Sequence, residues 1–423
     1  MTARRARPVA GRAGWGLIDQ AFSSLTNFAL GIIVARTVPI AEFGAFSLAF
    51  AAYLLAVNLT RAFPMQPLAI RYSAATADAW RRGSAAALGS VLLVGLVGGL
   101  AFVPLGLLLG GTIGLAFVAL GLTLPGLLLQ DGWRSAFFAA GQGSKAFRND
   151  LVWACTLFPW LGLIAATGQT SIFWLTVAWG GAATIAAVVG LIQTGIRPQP
   201  LMARSWWREH RDLGPRYLTE AVVSTGANQA AMYGVGIVAG LSAVGAVRAG
   251  LLLFGPLQIL LAGISLMVVP EGVRALQHSV GRLGRGAVVL SVGLAAIALI
   301  WGIMLQLIPE PVGHVLLGDT WDAAKPLFGP LTLAYAGLMG GIGAAIVLRA
   351  LANARRSLRA NLFGSTANGV AILGAALAGS LGATWGFAAA AGLGLLGWWR
   401  QAALAVNDAA EDDSTAALAQ TRS

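Results

Sequence analysis

Charge is scarce in this 423-residue sequence: 10% of positions are Asp, Glu, Lys or Arg, against about a quarter in ordinary soluble domains. So little charge cannot cover a globular surface with polar groups. Cysteine is nearly absent, and the single Cys155 excludes an intrachain disulfide and a cysteine-based metal site. The three histidines, His210, His278 and His314, fall in different connections and show no metal-ligand spacing. There is no GxxxxGK[ST] loop to cradle a nucleotide phosphate, so ATP does not drive the chain directly. No nucleophile motif appears, and no soluble stretch is large enough to house one. An enzyme is therefore not expected, and no cofactor or metal is implied. The net charge of +12 does not point to nucleic acid, because its arginines sit in short loops between apolar runs.

What is present in abundance is apolar: 57% hydrophobic residues, 56 glycines and a mean hydropathy of +0.76. Lipid is the solvent such a chain needs, and small residues let membrane helices approach closely. The first apolar run, from Gly14 to Ala35, is too long for a signal-peptide core and lacks a small-residue cleavage site. Windows of about 20 apolar residues, the length that crosses a hydrocarbon core, predict twelve helices. They fall at 14–36, 43–68, 83–109, 112–139, 147–167, 172–194, 215–239, 249–270, 286–308, 326–350, 358–379 and 383–405. The run 112–139 is the most interrupted, by Pro125 and Asp131.

Arginine placement gives a direction, because cytoplasmic loops retain positive charge. With both termini inside, 24 of the 28 basic residues are cytoplasmic; Arg36, Arg248 and Lys325 fall outside and Arg61 within a span. Omitting any one span scrambles this alternation. The expected organisation is a basic N-terminus (1–13), a six-helix lobe (14–194), a cytoplasmic linker (195–214), a second six-helix lobe (215–405) and a disordered acidic tail (406–423). The linker region, with Trp206, Trp207 and several arginines, suits the headgroup layer of membrane lipids.

The chain also repeats itself. At an offset of 201, Asp19 meets Glu220, Ser23 meets Ser224, Asn27 meets Asn228 and Gly44–Ala45 meets Gly245–Ala246. Later the offset becomes 211, pairing Lys145 with Arg356, Arg148 with Arg359, Gly168 with Gly379 and Trp174 with Trp385. The ten extra residues fall in the connection 309–325, whose counterpart is Gly110–Gly111. Six spans per half is even, so the halves share one direction and a pseudo-two-fold axis along the membrane normal is expected, with a site between them.

Polar residues inside spans are costly and mark cavities or partners. Asp19, Ser23 and Asn27 stack on one face of span one at i, i+4, i+8, and Glu220, Ser224 and Asn228 repeat the face on span seven. Both stripes are read as cavity lining, with Asp19 and Glu220 as coupling candidates; helix–helix hydrogen bonding is the bland alternative. Arg61 shares a face with Asn58 in span two, and its planar fork suits phosphate oxygens. Its depth near the inner surface matches that of Asp19, so Asp19 is its expected partner when no substrate is bound.

The runs LIDQAFSSLTNFALGIIVART, EFGAFSLAFA, RAFPMQPLAIRYS and LLLQDGWRSAFFAAGQGSKAFRNDLVW together resemble the oligosaccharide flippases of the multidrug/oligosaccharidyl-lipid/polysaccharide exporter superfamily. The resemblance is clear over 15–155, and the twelve-span layout extends it along the chain. It implies two six-helix lobes around a central cavity and alternating access in a bacterial plasma membrane. It also implies transport of an undecaprenyl-diphosphate-linked oligosaccharide to the outer leaflet, with polysaccharide polymerases and glycosyltransferases as partners. Asp19, Asn27, Arg61 and Arg134 match polar positions of these motifs. The chain departs from the pattern at Gln66, where related sequences often carry an acid. Two other readings stand beside this one: a cation-coupled drug or metabolite exporter of the same fold, and a membrane-embedded polymerase or transferase, for which the loops are short.

Overall fold

The computed structural model describes residues 9–261, 264, 276 and 279–420; within its helices the side chains of 9–13, 17, 216, 219–225, 227–228, 354 and 409–420 fall outside the description. The described residues form helices joined by short turns, with no strand among them. The chain divides into two compact units, Met1–Met232 and Tyr233–Ser423.

The first unit contains α1 (Val9–Thr37), α2 (Ile40–Thr60), a π-helical turn (Arg61–Met65) leading into α3 (Gln66–Tyr72), α4 (Ala77–Leu109), α5 (Gly111–Ala139), α6 (Gly143–Ala166), α7 (Ile172–Thr194) and the short α8 (Ala203–Glu209). Helix α9 (Gly214–Leu253) begins in this unit and ends in the next. Gly110 and Gly111, at φ 62° and 56°, turn α4 back onto α5. The two helices then lie in near backbone contact: a Cβ on Gly99 would stand 2.5 Å from the Gly121 carbonyl oxygen. Helices α5 and α7 interlock reciprocally. The side chain of Thr184 fills the space over Gly126, and that of Thr123 the space over Gly180. With lipid outside, such close packing rather than hydrophobic exclusion holds helices together. The opposite face of α4 is bare, with Leu100 76% and Leu108 85% exposed, as a lipid-facing surface requires.

The second unit continues through α10 (Val280–Gln306), α11 (Glu310–Leu317), α12 (Thr320–Ala324), α13 (Phe328–Gly340), α14 (Ile342–Ala350), α15 (Ala354–Ala375) and α16 (Gly379–Gln420). Its core joins Leu283 and Ala287 of α10, Ala344, Val347 and Leu348 of α14, and Ala402 and Ala405 of α16.

Ten helical runs among the described residues are long and apolar enough to cross a membrane. One of them, Arg355–Asp408, covers both expected spans eleven and twelve, while of the expected span 249–270 the residues 262, 263 and 265–270 lie outside the described residues. Three expectations need correction. Gly240, at φ 83° and ψ 172°, breaks α9, so the eighth span starts near 241 instead of 249 and Arg248 lies inside it rather than in an external loop. The linker is not a separate element. The Gln199 N–H donates to the Ala85 carbonyl at 2.9 Å, Arg71 pairs with Asp212 at 2.5 Å, and buried Trp206 stacks on His210. These contacts anchor 195–214 to α3 and α4, and the division between units falls within α9. Finally, α16 runs to Gln420 through the stretch 406–420 expected to be disordered. Its alanine-rich sequence favours helix, and Asp408 pairs with Arg356 at 2.6 Å.

Candidate functional site

Proline creates the local geometry at Arg61. Pro64 has no N–H to give the carbonyl four residues back and its ring clashes there, so the helix widens to a π-turn over Arg61–Met65 and recovers with the Gln66 N–H bonded to the Arg61 carbonyl. Single π-turns inside α-helices are frequent at functional positions. Upstream, Phe46, Phe50 and Tyr53 of α2 pack around the Trp179 indole of α7, Tyr53 edge-on at 4.9 Å, which fixes the position of α2.

From this turn Arg61 reaches α5. Its Nε and Nη2 donate to Asp131 Oδ2 and Oδ1 at 2.9 and 2.5 Å, the bidentate form of a guanidinium–carboxylate pair. The Asp131 side chain is 6% exposed and that of Arg61 46%. The carboxylate is thus a buried anchor and the guanidinium a partly open surface.

The same helix supplies a second centre. In the run Gln130-Asp131-Gly132-Trp133-Arg134, residues 130 and 134 share one face of α5, while Asp131 is turned about 100° from Gln130 and about 60° from Arg134. Arg134 Nε donates to Asp19 Oδ2 of α1 at 2.7 Å, and its Nη2 donates to Gln20 Oε1 at 3.0 Å. Asp150 Oδ2 of α6 stands 3.4 Å from the same Nε. Gln130 Nε2 donates to Asp150 Oδ1 at 2.8 Å, and Asn149 Nδ2 donates to the Ala186 carbonyl at 2.7 Å. Asp19, Asn149 and Asp150 are buried. Asp19 Oδ1 and Asp150 Oδ2 are buried and accept no hydrogen bond. Three buried carboxylates therefore face two guanidiniums in this unit. An excess carboxylate in a low-dielectric interior is costly unless it takes up a proton or a cation.

The structure places the expected site residues unevenly. Arg61, Asp19 and Arg134 lie in this network, but Asp19 is not the partner of Arg61, as the depth argument had it. Asp19 pairs with Arg134 and Arg61 with Asp131, because α5 stands between and offers one residue to each neighbour. Arg134, expected on the substrate pathway, is 12% exposed and engaged by carboxylates; it organises the cluster instead of lining an open path. Asn27 Nδ2 donates to the Ser23 carbonyl at 2.9 Å and Asn58 Nδ2 to the Leu54 carbonyl at 2.8 Å. These amides thus bond within their own helices, and Ser23 and Asn27 are half-buried. Glu220, Ser224 and Asn228 lie on the backbone of α9, but their side chains are outside the described residues. Sequence reasoning missed Asp131, Asp150, Gln130 and Asn149. The available signal was three acids in apolar runs of the first half, of which Asp131 was counted only as an interruption.

No family model and no curated protein matches the sequence. Solved structures do match the fold. An inward-facing multidrug resistance MATE family transporter of the MOP superfamily superposes with a TM-score of 0.68 at 12% identity, covering 91% of this chain and 95% of that one. The lipid II flippase MurJ in an inward closed conformation gives 0.69 at 10% identity, covering 90% and 86%. A MOP superfamily transporter from Pyrococcus furiosus Vc1 gives 0.54 at 15% identity, covering 92% and 93%. These neighbours are transporters and flippases, not enzymes. The chain shares their multi-pass helical fold.

Proposed function

We propose that this chain is a flippase for an anionic, lipid-linked oligosaccharide, which it carries across a bacterial plasma membrane by alternating access with the substrate diphosphate held at Arg61. The observation that carries the reading is the half-exposed guanidinium fixed by a buried carboxylate. Of five guanidinium N–H donors, Asp131 takes one on Nε and one on Nη2. The remaining donors belong to a side chain that is 46% exposed, and diphosphate oxygens are their natural acceptors. Because Asp131 stays buried, the diphosphate binds as a second partner of Arg61 and does not displace the first. One structure of this fold is named a lipid II flippase, which agrees with a lipid-linked substrate. The substrate's sugars imply glycosyltransferases and a polymerase acting before and after it.

The charge excess favours one element of the alternative, cation-coupled exporter reading. We assign it to coupling: the Asp19–Asp150 pair around Arg134 takes up one proton or monovalent cation during the cycle, and Glu220 is proposed as its counterpart on α9. A drug exporter for cations would use acids without a neighbouring open arginine, which is the reverse of the Arg61 site.

The test is transport of a lipid-linked oligosaccharide in proteoliposomes. Arg61→Ala should abolish it, and Arg61→Lys should retain a part, because a point charge loses the bidentate fork. Removing one partner of a fully buried pair costs roughly 3–5 kcal/mol, less here because Arg61 is half-exposed. The double variant Arg61→Ala/Asp131→Ala removes the orphaned carboxylate and serves as a folded control that should also fail to transport. Normal transport by Arg61→Ala sinks the proposal.

A further inference from the structure

The ten residues that the second half has beyond the repeat fold into a structured hairpin. Helix α11 (Glu310–Leu317) starts after Pro309 and stops at Gly318, and α12 (Thr320–Ala324) folds back beside it. Trp321 is fully buried against Gly313, where its indole fills the space that a Cβ would need. That indole donates to Glu310 Oε2 at 2.7 Å, and Lys325 pairs with Glu310 Oε1. Glu310 and His314, four residues apart, share one face of α11. Donor atoms of Glu310, His314 and Asp322 all lie within 4.8 Å of one another.

The imidazole carries the chemical argument. His314 Nδ1 lies 3.2 Å from the Gly318 carbonyl oxygen. A carbonyl can only accept, so Nδ1 holds the proton. In the neutral ring Nε2 then presents a lone pair, and it faces Asp322 Oδ1 at 3.3 Å. Two acceptors at that distance repel unless something positive lies between them. A second proton on the ring is one solution and a metal ion is the other. The spacing suits the metal: bonds of about 2.0–2.1 Å at tetrahedral angles put neighbouring ligand atoms about 3.3–3.4 Å apart. A ring N–H bonded to a backbone carbonyl is also the usual support that orients a metal-ligating histidine.

We infer that Glu310, His314 and Asp322 form a site for one divalent transition-metal cation of the Zn2+ type, with Lys325 as a built-in competitor for the Glu310 carboxylate. A neutral imidazole with two carboxylates selects Zn2+, Ni2+ or Cu2+ over Ca2+ and Mg2+, which prefer all-oxygen shells. Three protein ligands leave a fourth position for water or an exchangeable anion. The Lys325 side chain is a flexible stem at the surface and swings away when the ion enters, freeing Glu310. Histidine spacing alone gave no sign of this site, because it uses a single histidine with acids from two helices.

The site is tested with tag-free, full-length protein in detergent, stripped with chelator and titrated calorimetrically with Zn2+. The wild type should bind one Zn2+ per chain in a saturable titration. His314→Ala and Asp322→Asn should each weaken binding at least tenfold, in line with loss of a ligand. Lys325→Ala should tighten it, because the competitor and its repulsive charge are gone. Wild-type protein without saturable binding, binding that survives His314→Ala, or binding weakened by Lys325→Ala would each overturn the assignment.

Discussion

Arg134 directs its donors to Asp19 and Gln20 beside Asp150 and is 12% exposed, whereas Arg61 has one carboxylate partner and is 46% exposed. Exposure, not the presence of a charge in a span, is what makes Arg61 the binding candidate and Arg134 the organiser. Arg61 was legible in the sequence because a guanidinium in an apolar run is rare enough to notice. Its partner was not. Spacing along a helix gives the face a residue occupies and its depth, but not which neighbouring helix that face meets. Asp19 and Asp131 were thus equally admissible in depth, and packing of α2 against α5 decided for Asp131. The surplus acid leads to a prediction about coupling. Asp150→Asn removes the surplus while keeping an acceptor for Gln130, so transport by this variant should no longer respond to an imposed proton or sodium gradient. Wild-type transport should accelerate under one of the two gradients. Measuring both gradients in proteoliposomes identifies the ion, and a wild type indifferent to both refutes the coupling role.

At the scale of elements, the internal repeat foretold more than the hydropathy windows did. The offset of 201 places Ile40, the first residue of α2, opposite Leu241, and Pro39 opposite the Gly240 break. Hydropathy set the eighth span at 249 because Arg248 was read as a loop charge, while the break at Gly240 lies in an apolar run with no charge to mark it. The offset of 211 goes further. Gly141 at φ 68° matches Ala352 at φ 52°, and Gly168 at 69° matches Gly379 at 74°. In the first pair even the hydrogen bonds correspond. Gln142 N–H donates to the Phe137 carbonyl and Gly141 N–H to that of Phe138, as Asn353 does to Leu348 and Ala352 to Arg349. This is a Schellman cap, whose left-handed residue is normally glycine. Alanine there is strained by about 1 kcal/mol or more. Ala352→Gly should therefore raise the thermal unfolding midpoint of the purified protein, and Gly168→Ala should lower it by introducing the same strain. An unchanged midpoint in both would show that these turns are not strained as their φ values indicate. The hairpin at 310–324 could not be foreseen from the repeat, which has no template for it, and its helices are too short to show a hydropathy span.

For the molecule as a whole, scarcity of charge and long apolar runs were enough to read a polytopic helical bundle, and the fold shared with MATE and MurJ structures agrees. Substrate choice is a different matter, because one fold serves several cargoes and the decision rests on the few polar side chains in its interior. Here that decision rests on an open arginine held by a buried acid. The most direct test compares two cargoes in the same proteoliposomes, a fluorescent oligosaccharide linked through diphosphate to a polyprenyl lipid and a cationic drug. The account predicts protein-dependent movement of the lipid-linked sugar, competed by excess unlabelled lipid diphosphate, and no transport of the drug. Transport of the drug with no movement of the lipid-linked sugar would contradict it.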